Sequence, residues 1–465
     1  MRASAGSPSL VLNLQLSLRI VCGIIATPSI SGMKISVFGL WHLGCVTAAC
    51  LAERFPTAGL DPDPATITGL LAGEPPILEP GLSDLIRRGM SRGTLRFSTE
   101  VPDIVSQSDV VWVTFDTPVD QEDHSDAGYV EARIASLFPY LRDGATVLIS
   151  SQVPVGTTRR IEAAYRGAFP DGDVHFAYSP ENLRLGRAIE GFRNPGRIVI
   201  GTRTDRDRER LSPLLEQLCP ELIWMSVESA EMTKHAVNAF LANSVAFINE
   251  IAAVCEEVGA DAKQVEKGLK SDERIGTRAY LGAGGPFAGG TLARDISFLT
   301  SAANALHLPA VLLESIKRSN DLHKEWPHRK LQSVLGSLVG KRIAVLGLTY
   351  LPGIDTLRRS AAVELCTWLA EQGATVVAFD PAIRRLPEHL SRAVTLADSA
   401  LAAVTGCDAT VVATEWPEFR QLRAADLIGE MATPIVLDAN RFLEKSLKPA
   451  PPLVYIAFGL PKVIA

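Results

Sequence analysis

KISVFGLWHLGCVTAACLAERF, residues Lys34 to Phe55, passes from an apolar strand through a glycine turn into an apolar helix. TAGL then predicts a second short strand, closed by Asp61. That acid stands about 20 residues beyond the turn, where a dinucleotide-binding fold sets a carboxylate against the ribose hydroxyls, and an Asp there favours NAD over NADP. Gly39 and Gly44 occupy the first and third glycine positions of the fingerprint. Trp41 occupies the second, where the backbone has to approach the pyrophosphate closely. A tight strand-to-helix turn in any α/β protein is the competing reading.

Outward from this turn, strands and helices go on alternating. DVVWVTF (Asp109 to Phe115) ends in Asp116, Thr117 and Pro118, and TVLISS (Thr146 to Ser151) ends in Gln152, Val153 and Pro154. HFAYSPENLRLG (His175 to Gly186) reads as a third loop of the same kind, carrying Glu181. In an open parallel sheet the loops at the carboxyl ends of the strands line the ligand crevice. Near Gly340 the pattern restarts with KRIAVLGLTY, a helix around Ala361 to Glu371, ATVVAFD, DATVVAT and PIVLDAN. The fold class expected is therefore α/β, with two Rossmann-like doubly wound domains joined by a long central helix. The expected division is an N-terminal extension at 1–32, a dinucleotide-binding domain at 33–225, a helical domain at 226–325 and a second Rossmann-like domain at 326–465.

The central helix is expected from Ser229 to about Glu257, with Ser229 as N-cap, Glu231 in the first turn against the helix dipole, and Gly259 as the stop. Ala236 to Ala253 is apolar on nearly every face, so the helix is buried all round or shared with a partner. Lys234 and Asn238 are set into it at i, i+4 and point the same way. A lysine in such surroundings is costly unless something charged or reactive meets it. The alternative is a snorkelling lysine beside a capped amide. The later span GAGGPFAGGTLARD (Gly282 to Asp295) reads as backbone built for close approach to a ligand.

Composition narrows the class. A chain of 465 residues is too long for one ordinary core. Its 47% hydrophobic and 21% charged residues suit a folded soluble enzyme. A formal net charge of -6 argues against a nucleic-acid partner. The seven cysteines form no CxxC pair and read as reduced thiols of a cytoplasmic protein. Leu10 to Ala26 is apolar but interrupted, short for a membrane span, and faintly like a secretory signal. The expectation is no membrane partner and Met33 as the working first residue, which mass spectrometry of the native N-terminus reads. His42 and His235 belong to no metal-binding pattern, so no metal is expected. Trp112 and Trp368 read as core, and the run Arg203 to Arg210 as a solvated mixed-charge surface.

Taken in order, GLWHLG, LDPDP, GEPPILEPGL, DTPVD, VPVGT, YSPENLRLG, AEMTKHAVNAFLANSVAFINEIA, DERIG, GGTLARD, LGLTYLPGIDTLRRS and ATEWPEF resemble the UDP-glucose/GDP-mannose dehydrogenases, the nucleotide-sugar 6-dehydrogenases, over nearly the whole length from Met33. The resemblance implies an NAD-binding domain, a central dimerisation domain and a UDP-binding domain. It further implies a homodimer acting on a nucleotide sugar, a UDP-hexose in the commonest case. The implied reaction is a four-electron oxidation of the sugar C6 alcohol to a carboxylate with two NAD. By motif, Lys234 and Asn238 match the catalytic lysine and its asparagine, Glu181 the acid/base glutamate of an NPEFLREG loop, and Asp295 the aspartate that orients water. Gly39, Leu40, Gly44, Asp61, Thr117, Gln152, Arg294 and the DTRES-motif arginine Arg358 fall on cofactor positions. Asn182, Leu183, Arg184, Tyr280, Phe287, Gly289 and Arg274, which would reach across the dimer, fall on substrate positions.

The departures sharpen the expectation. Where the family reads GGSCFPKD this chain reads AGGTLARD, which puts Thr291 on the nucleophilic cysteine. A threonine hydroxyl needs a strong adjacent base to do a thiol's work near neutral pH. Gln152 replaces the threonine of STVPPGT, Arg294 a lysine, Leu185 the second glutamate of NPEFLREG and Leu351 the lysine of FKP. Three functions compete: an NAD-dependent oxidoreductase that stops after one hydride transfer or returns the hydride in a redox-neutral epimerisation, a slow 6-dehydrogenase using an oxygen ester on Thr291, and a non-catalytic binding or regulatory relative.

Overall fold

The computed structural model describes residues 32–118, 126–181, 183–287, 290–447 and 451–461. The N-terminal stretch from Leu10 to Ala26 lies outside them, as do Asn182 and Gly289.

Short, mostly apolar runs become strands, the central ones buried on both faces and the outer ones less so. The first eight are β1 (Ile35–Phe38), β2 (Thr57–Leu60), β3 (Leu95–Ser98), β4 (Val110–Val113), β5 (Thr146–Ile149), β6 (His175–Tyr178), β7 (Ile198–Thr202) and β8 (Leu222–Ser226). They form one sheet in the order β3-β2-β1-β4-β5-β6-β7-β8. Pairing is parallel throughout except between β6 and β7. The order reverses between β1 and β4, so a crevice opens beyond their carboxyl ends. HFAY, read from the sequence as part of a loop, is β6 itself, and the loop begins at Ser179.

A second sheet repeats the winding with β9 (Arg342–Leu346), β10 (Thr375–Phe379), β11 (Val394–Leu396), β12 (Ala409–Val412), β13 (Ile435–Asp438) and β14 (Val454–Ile456). Its order is β11-β10-β9-β12-β13-β14, parallel throughout. Each turn after the first strand of a sheet uses a left-handed glycine held against the strand across the switch point. A Cβ on Gly39 (φ +100) would stand 2.8 Å from Phe115, and one on Gly347 (φ +90) 2.4 Å from Thr414.

The long helix spans Val227–Val258 and stops at left-handed Gly259, as expected, but Ser226 is its N-cap, accepting from Ser229 N at 3.3 Å. Glu231 is accordingly too far along to serve the dipole of its own helix. It is fully buried and serves another: its carboxylate accepts from Gly156 N at 2.5 Å, Thr158 N at 2.9 Å and Thr158 Oγ1 at 2.7 Å, at the start of helix Thr157–Ala168. A carboxylate is favoured there by the unpaired N–H groups and the positive helix end. Among the described residues this is the one helix long and apolar enough to cross a membrane, yet half of its most apolar window is buried in the fold. Helices Thr291–Ala305 and Val311–Lys324 cover one side, packing Ala239, Ala242, Val245, Ala246, Phe287 and Ile296 together. Phe240, Phe247 and Val254, spaced by sevens, stay exposed.

The run from Arg203 to Arg210 is less solvated than its charge suggested. Arg203 pairs with Glu162 and Glu228, and buried Asp207 meets His175 and completes a capping box with Thr204, the N-cap of helix Asp205–Leu215. Trp112 is buried, as expected, and donates to Ser150 Oγ. Trp368 is partly buried and stacks on His328.

Replacing Glu231 by Ala leaves three donors at one helix start without their acceptor. The expected loss is about 3 kcal/mol of stability, at roughly 1–3 kcal/mol per orphaned group with partial rehydration. It is read from the shift of the urea midpoint at unchanged slope; a loss below about 1 kcal/mol would show that water replaces the carboxylate freely.

Candidate functional site

Two structural demands shape the first strand-to-helix turn. Gly39 takes a positive φ, and a Cβ on Gly44 would lie 1.8 Å from the Gly39 carbonyl oxygen, so helix His42–Leu51 can approach the strand only without a side chain there. Trp41, at the missing second glycine, has ordinary extended backbone (φ −87, ψ −155) and a half-exposed ring. The turn therefore keeps its shape without the middle glycine. Asp61 follows β2 and accepts from Leu40 N at 2.7 Å and Asp63 N at 2.9 Å, fixing its carboxylate at the rim of the turn. A cradle that excludes a Cβ, an unpaired helix N-terminus and an acid at the rim together fit a dinucleotide.

A second demand came without warning from the sequence. Glu79, in the EPGL stretch, is buried and accepts from His42 Nε2 at 2.9 Å, Gly186 N at 2.8 Å and Ala188 N at 2.9 Å. It ties the dinucleotide turn to the end of the Glu181 loop. The only signal was an acid between prolines in a stretch noted for resemblance alone.

Beyond the carboxyl ends of β5 and β6 the long helix delivers a buried polar cluster. Lys234 is almost fully buried; its Nζ donates to the Glu181 carbonyl oxygen at 2.5 Å and lies 3.9 Å from Glu181 Oε1. Glu181 Oε2 accepts from Leu183 N at 2.6 Å, which turns the loop back on itself. One turn along the helix, Asn238 Nδ2 donates to Asp295 Oδ2. Asp295 Oδ1 accepts from Gln152 Nε2 at 2.5 Å and lies 2.6 Å from His235 Nδ1. His235 Nε2 faces the Val153 carbonyl oxygen at 3.0 Å, so a residue given no role in the sequence joins the cluster. Arg294, also buried, donates through Nη2 to Gln152 Oε1 and through Nη1 to the Thr117 carbonyl oxygen at 3.3 Å, with Asp116 3.8 Å away. Thr117 Oγ1 in turn donates to the Gln152 carbonyl oxygen at 2.6 Å. Tyr178 is fully buried with an unpartnered hydroxyl; burial first, then Glu231, Asp295 and Glu181, hold its pKa well above the usual phenol range.

Other expected site residues are not gathered here. Thr291 opens helix Thr291–Ala305 and is exposed. Phe287 is buried, its N–H donating to Asn320 Oδ1. Leu183 is partly buried and Arg184 exposed. Tyr280 is exposed, as is Arg274, paired locally with Asp272. Arg358 is exposed, whereas the neighbouring Arg359 comes near Gly290, its Cδ 3.6 Å from where a Cβ on that glycine would be. Gly284 and Gly285 serve packing within the protein: Gly285 N donates to Asn440 Oδ1 at 2.6 Å, and a Cβ on Gly284 would stand 2.1 Å from the same oxygen. The six described cysteines are all buried and free. Burial pushes the thiols of Cys50 and Cys366 up to about 12.

Against known proteins, residues 33–219 match the NAD binding domain of the UDP-glucose/GDP-mannose dehydrogenase family, 228–322 its central domain and 344–445 its UDP binding domain. UDP-glucose 6-dehydrogenase of Rhizobium meliloti is 35% identical over 92% of this chain and 100% of its own length. The Bacillus subtilis UDP-glucose 6-dehydrogenase TuaD is 32% identical over 92% of this chain and 94% of its own length. A UDP-glucose dehydrogenase structure from Pyrobaculum islandicum superposes with a TM-score of 0.84 at 29% identity, covering 94% of this chain and 99% of that one.

Gly44→Ala is expected to weaken dinucleotide binding at least about tenfold, about 1.4 kcal/mol, because the helix start must back away from Gly39. Titration of NAD against protein fluorescence measures it. Unchanged affinity in the folded variant would mean the cofactor does not use this turn.

Proposed function

The chain belongs to the UDP-glucose/GDP-mannose dehydrogenase family and is an NAD-dependent nucleotide-sugar dehydrogenase, and from that premise we propose that it oxidises the alcohol of a UDP-hexose by two electrons and stops. Bound NAD supplies the hydride acceptor, one NADH and one proton resulting from each two-electron step. Gly39, Gly44 and the helix start behind them cradle the pyrophosphate, and Asp61 takes the ribose. Lys234 offers its remaining N–H donors to the oxygen of the reacting alcohol, where negative charge grows as the C–H bond breaks. Asn238, held by Asp295, lies one helix turn from that ammonium. The neighbouring Glu181 carboxylate takes the alcohol proton.

One observation carries the arrest. The resemblance puts Thr291 on the family's nucleophile position, and the residue is exposed on the first turn of its helix. A threonine oxygen does not trap an aldehyde as a thiol does unless a strong base adjoins it. Exposed Phe240, Phe247 and Val254 support a homodimer, completed by burial of this stripe. Buried, unpaired thiols support work in the cytoplasm. The proposed division keeps 33–225, 226–325 and 326–465 as the three working parts.

Single-turnover mixing with limiting UDP-glucose and excess NAD is expected to yield one NADH per sugar and a product two mass units lighter; two NADH and a carboxylate would establish complete oxidation through Thr291, and none a binding protein or a redox-neutral enzyme. Lys234→Met is expected to lower kcat at least about a hundredfold, about 2.7 kcal/mol, as for loss of one charge-stabilising donor. Turnover at the original rate would remove Lys234 from the reaction.

A further inference from the structure

Asp295 has no exposed surface, and three protein donors already face it: Gln152 Nε2 and His235 Nδ1 on Oδ1, and Asn238 Nδ2 on Oδ2. A carboxylate has about four acceptor directions. The partners on Oδ1 cannot turn aside. His235 stands between two acceptors, since its Nε2 meets the Val153 carbonyl oxygen. Its ring is wedged edge-on against Phe298, with centroids 5.1 Å apart. Gln152 is oriented from both ends, because a guanidinium can only donate and therefore faces the amide oxygen, leaving the amide nitrogen for the carboxylate.

The two replacements in this corner explain each other. A threonine at position 152 would end short of Asp295 by about one hydrogen-bonded water, ~2.8 Å, whereas the longer glutamine reaches it directly. Its amide oxygen, buried by that reach, then needs a donor. Arg294 provides one while also binding the Thr117 carbonyl oxygen, a two-armed contact that a planar fork makes and a single ammonium does not.

We propose that Gln152, clamped by Arg294, is a positioning residue that fills the place on Asp295 from which a water would be directed, so that this site does not hydrolyse an acyl group even when one is formed. The proposal rests on the two-electron reading but is tested apart from it. In Thr291→Cys, the thiol adds across the aldehyde carbonyl, giving a thiohemiacetal. Oxidation of that adduct by a second NAD, with its hydroxyl proton lost to solvent, leaves a thioester. Opening it consumes one water, the hydroxyl going to the acyl carbon and the proton to sulfur.

With UDP-glucose and NAD as probes, intact-protein mass spectrometry of T291C is expected to show the acyl adduct persisting for minutes and released by hydroxylamine. Adding Gln152→Thr is expected to raise the rate of adduct decay relative to its formation at least tenfold, and Arg294→Lys in its place to raise it less. This kinetic split is one that mere loss of structure does not produce. Equal decay of the adduct with and without the Gln152→Thr substitution overturns the proposal, whatever the NADH count of the Thr291 protein. Should T291C form no adduct, oxygen-18 labelling decides. Aldehyde trapped by borodeuteride within the first turnover in H2(18)O is expected to carry at least tenfold less label from the Thr291 protein than from its Gln152→Thr variant, and equal labelling overturns it.

Discussion

A single buried carboxylate holds the site together. Asp295 is reached by Gln152 from the loop after β5, by His235 and Asn238 from the long helix, and belongs itself to helix Thr291–Ala305. Three segments far apart in sequence thus converge on one charge. Left unpaired in a low-dielectric interior that charge would cost several kcal/mol; surrounded by donors it fixes their positions instead. Lys234 and Asn238, one turn apart on the same helix, inherit their placement from it. The apolar helix tolerates its polar residues because they face this cluster, while the apolar side chains that remain exposed look elsewhere.

The two sheets show how one winding serves two purposes. Both end their second strand in an aspartate that reaches back to the turn after the first: Asp61 accepts from Leu40 N, and Asp380 from Leu348 N and Thr349 N. Beyond that they diverge. Asp380 is buried and also receives Thr349 Oγ1 at 3.0 Å and Trp416 Nε1 at 3.0 Å. An indole covering that carboxylate leaves no room for a ribose, so the acid that reads as a ligand group in the first half is an internal strut in the second. Repetition of the fold does not carry repetition of the site.

Much of the architecture was legible because the strands are short, apolar and cut off by glycine or aspartate, as in Ile35–Phe38, Thr57–Leu60 and Arg342–Leu346. The i, i+4 pairing of Lys234 and Asn238 was equally legible, since helical geometry alone puts them on one face. Illegible were contacts that depend on tertiary approach. Glu231 looked like a first-turn acid of its own helix and proved to satisfy the start of another. His235 carries no motif, and only the arrival of Asp295 and the Val153 carbonyl gives it a place. The glycines at 284 and 285 signal close approach, but composition cannot say whether a ligand or Asn440 is approached. Arg359, whose backbone takes a left-handed φ of 59, comes near Gly290 where motif spacing had pointed to Arg358.

The first strand-to-helix turn and the Glu181 loop are not independent parts. Glu79 grips both, taking His42 from the helix start that follows Gly39 and the N–H groups of Gly186 and Ala188 from the end of the Glu181 loop. His42 is only slightly exposed and Glu79 almost wholly buried, so water does not readily replace either contact. Any shift of the dinucleotide helix is therefore passed to the segment that meets Lys234 through the Glu181 carbonyl. In this fold the path from the first strand-to-helix turn to Lys234 is short: a helix start, one buried carboxylate, a loop and an ammonium. Order at the first of these constrains the last, so the position of Lys234 is tied to that of the dinucleotide turn.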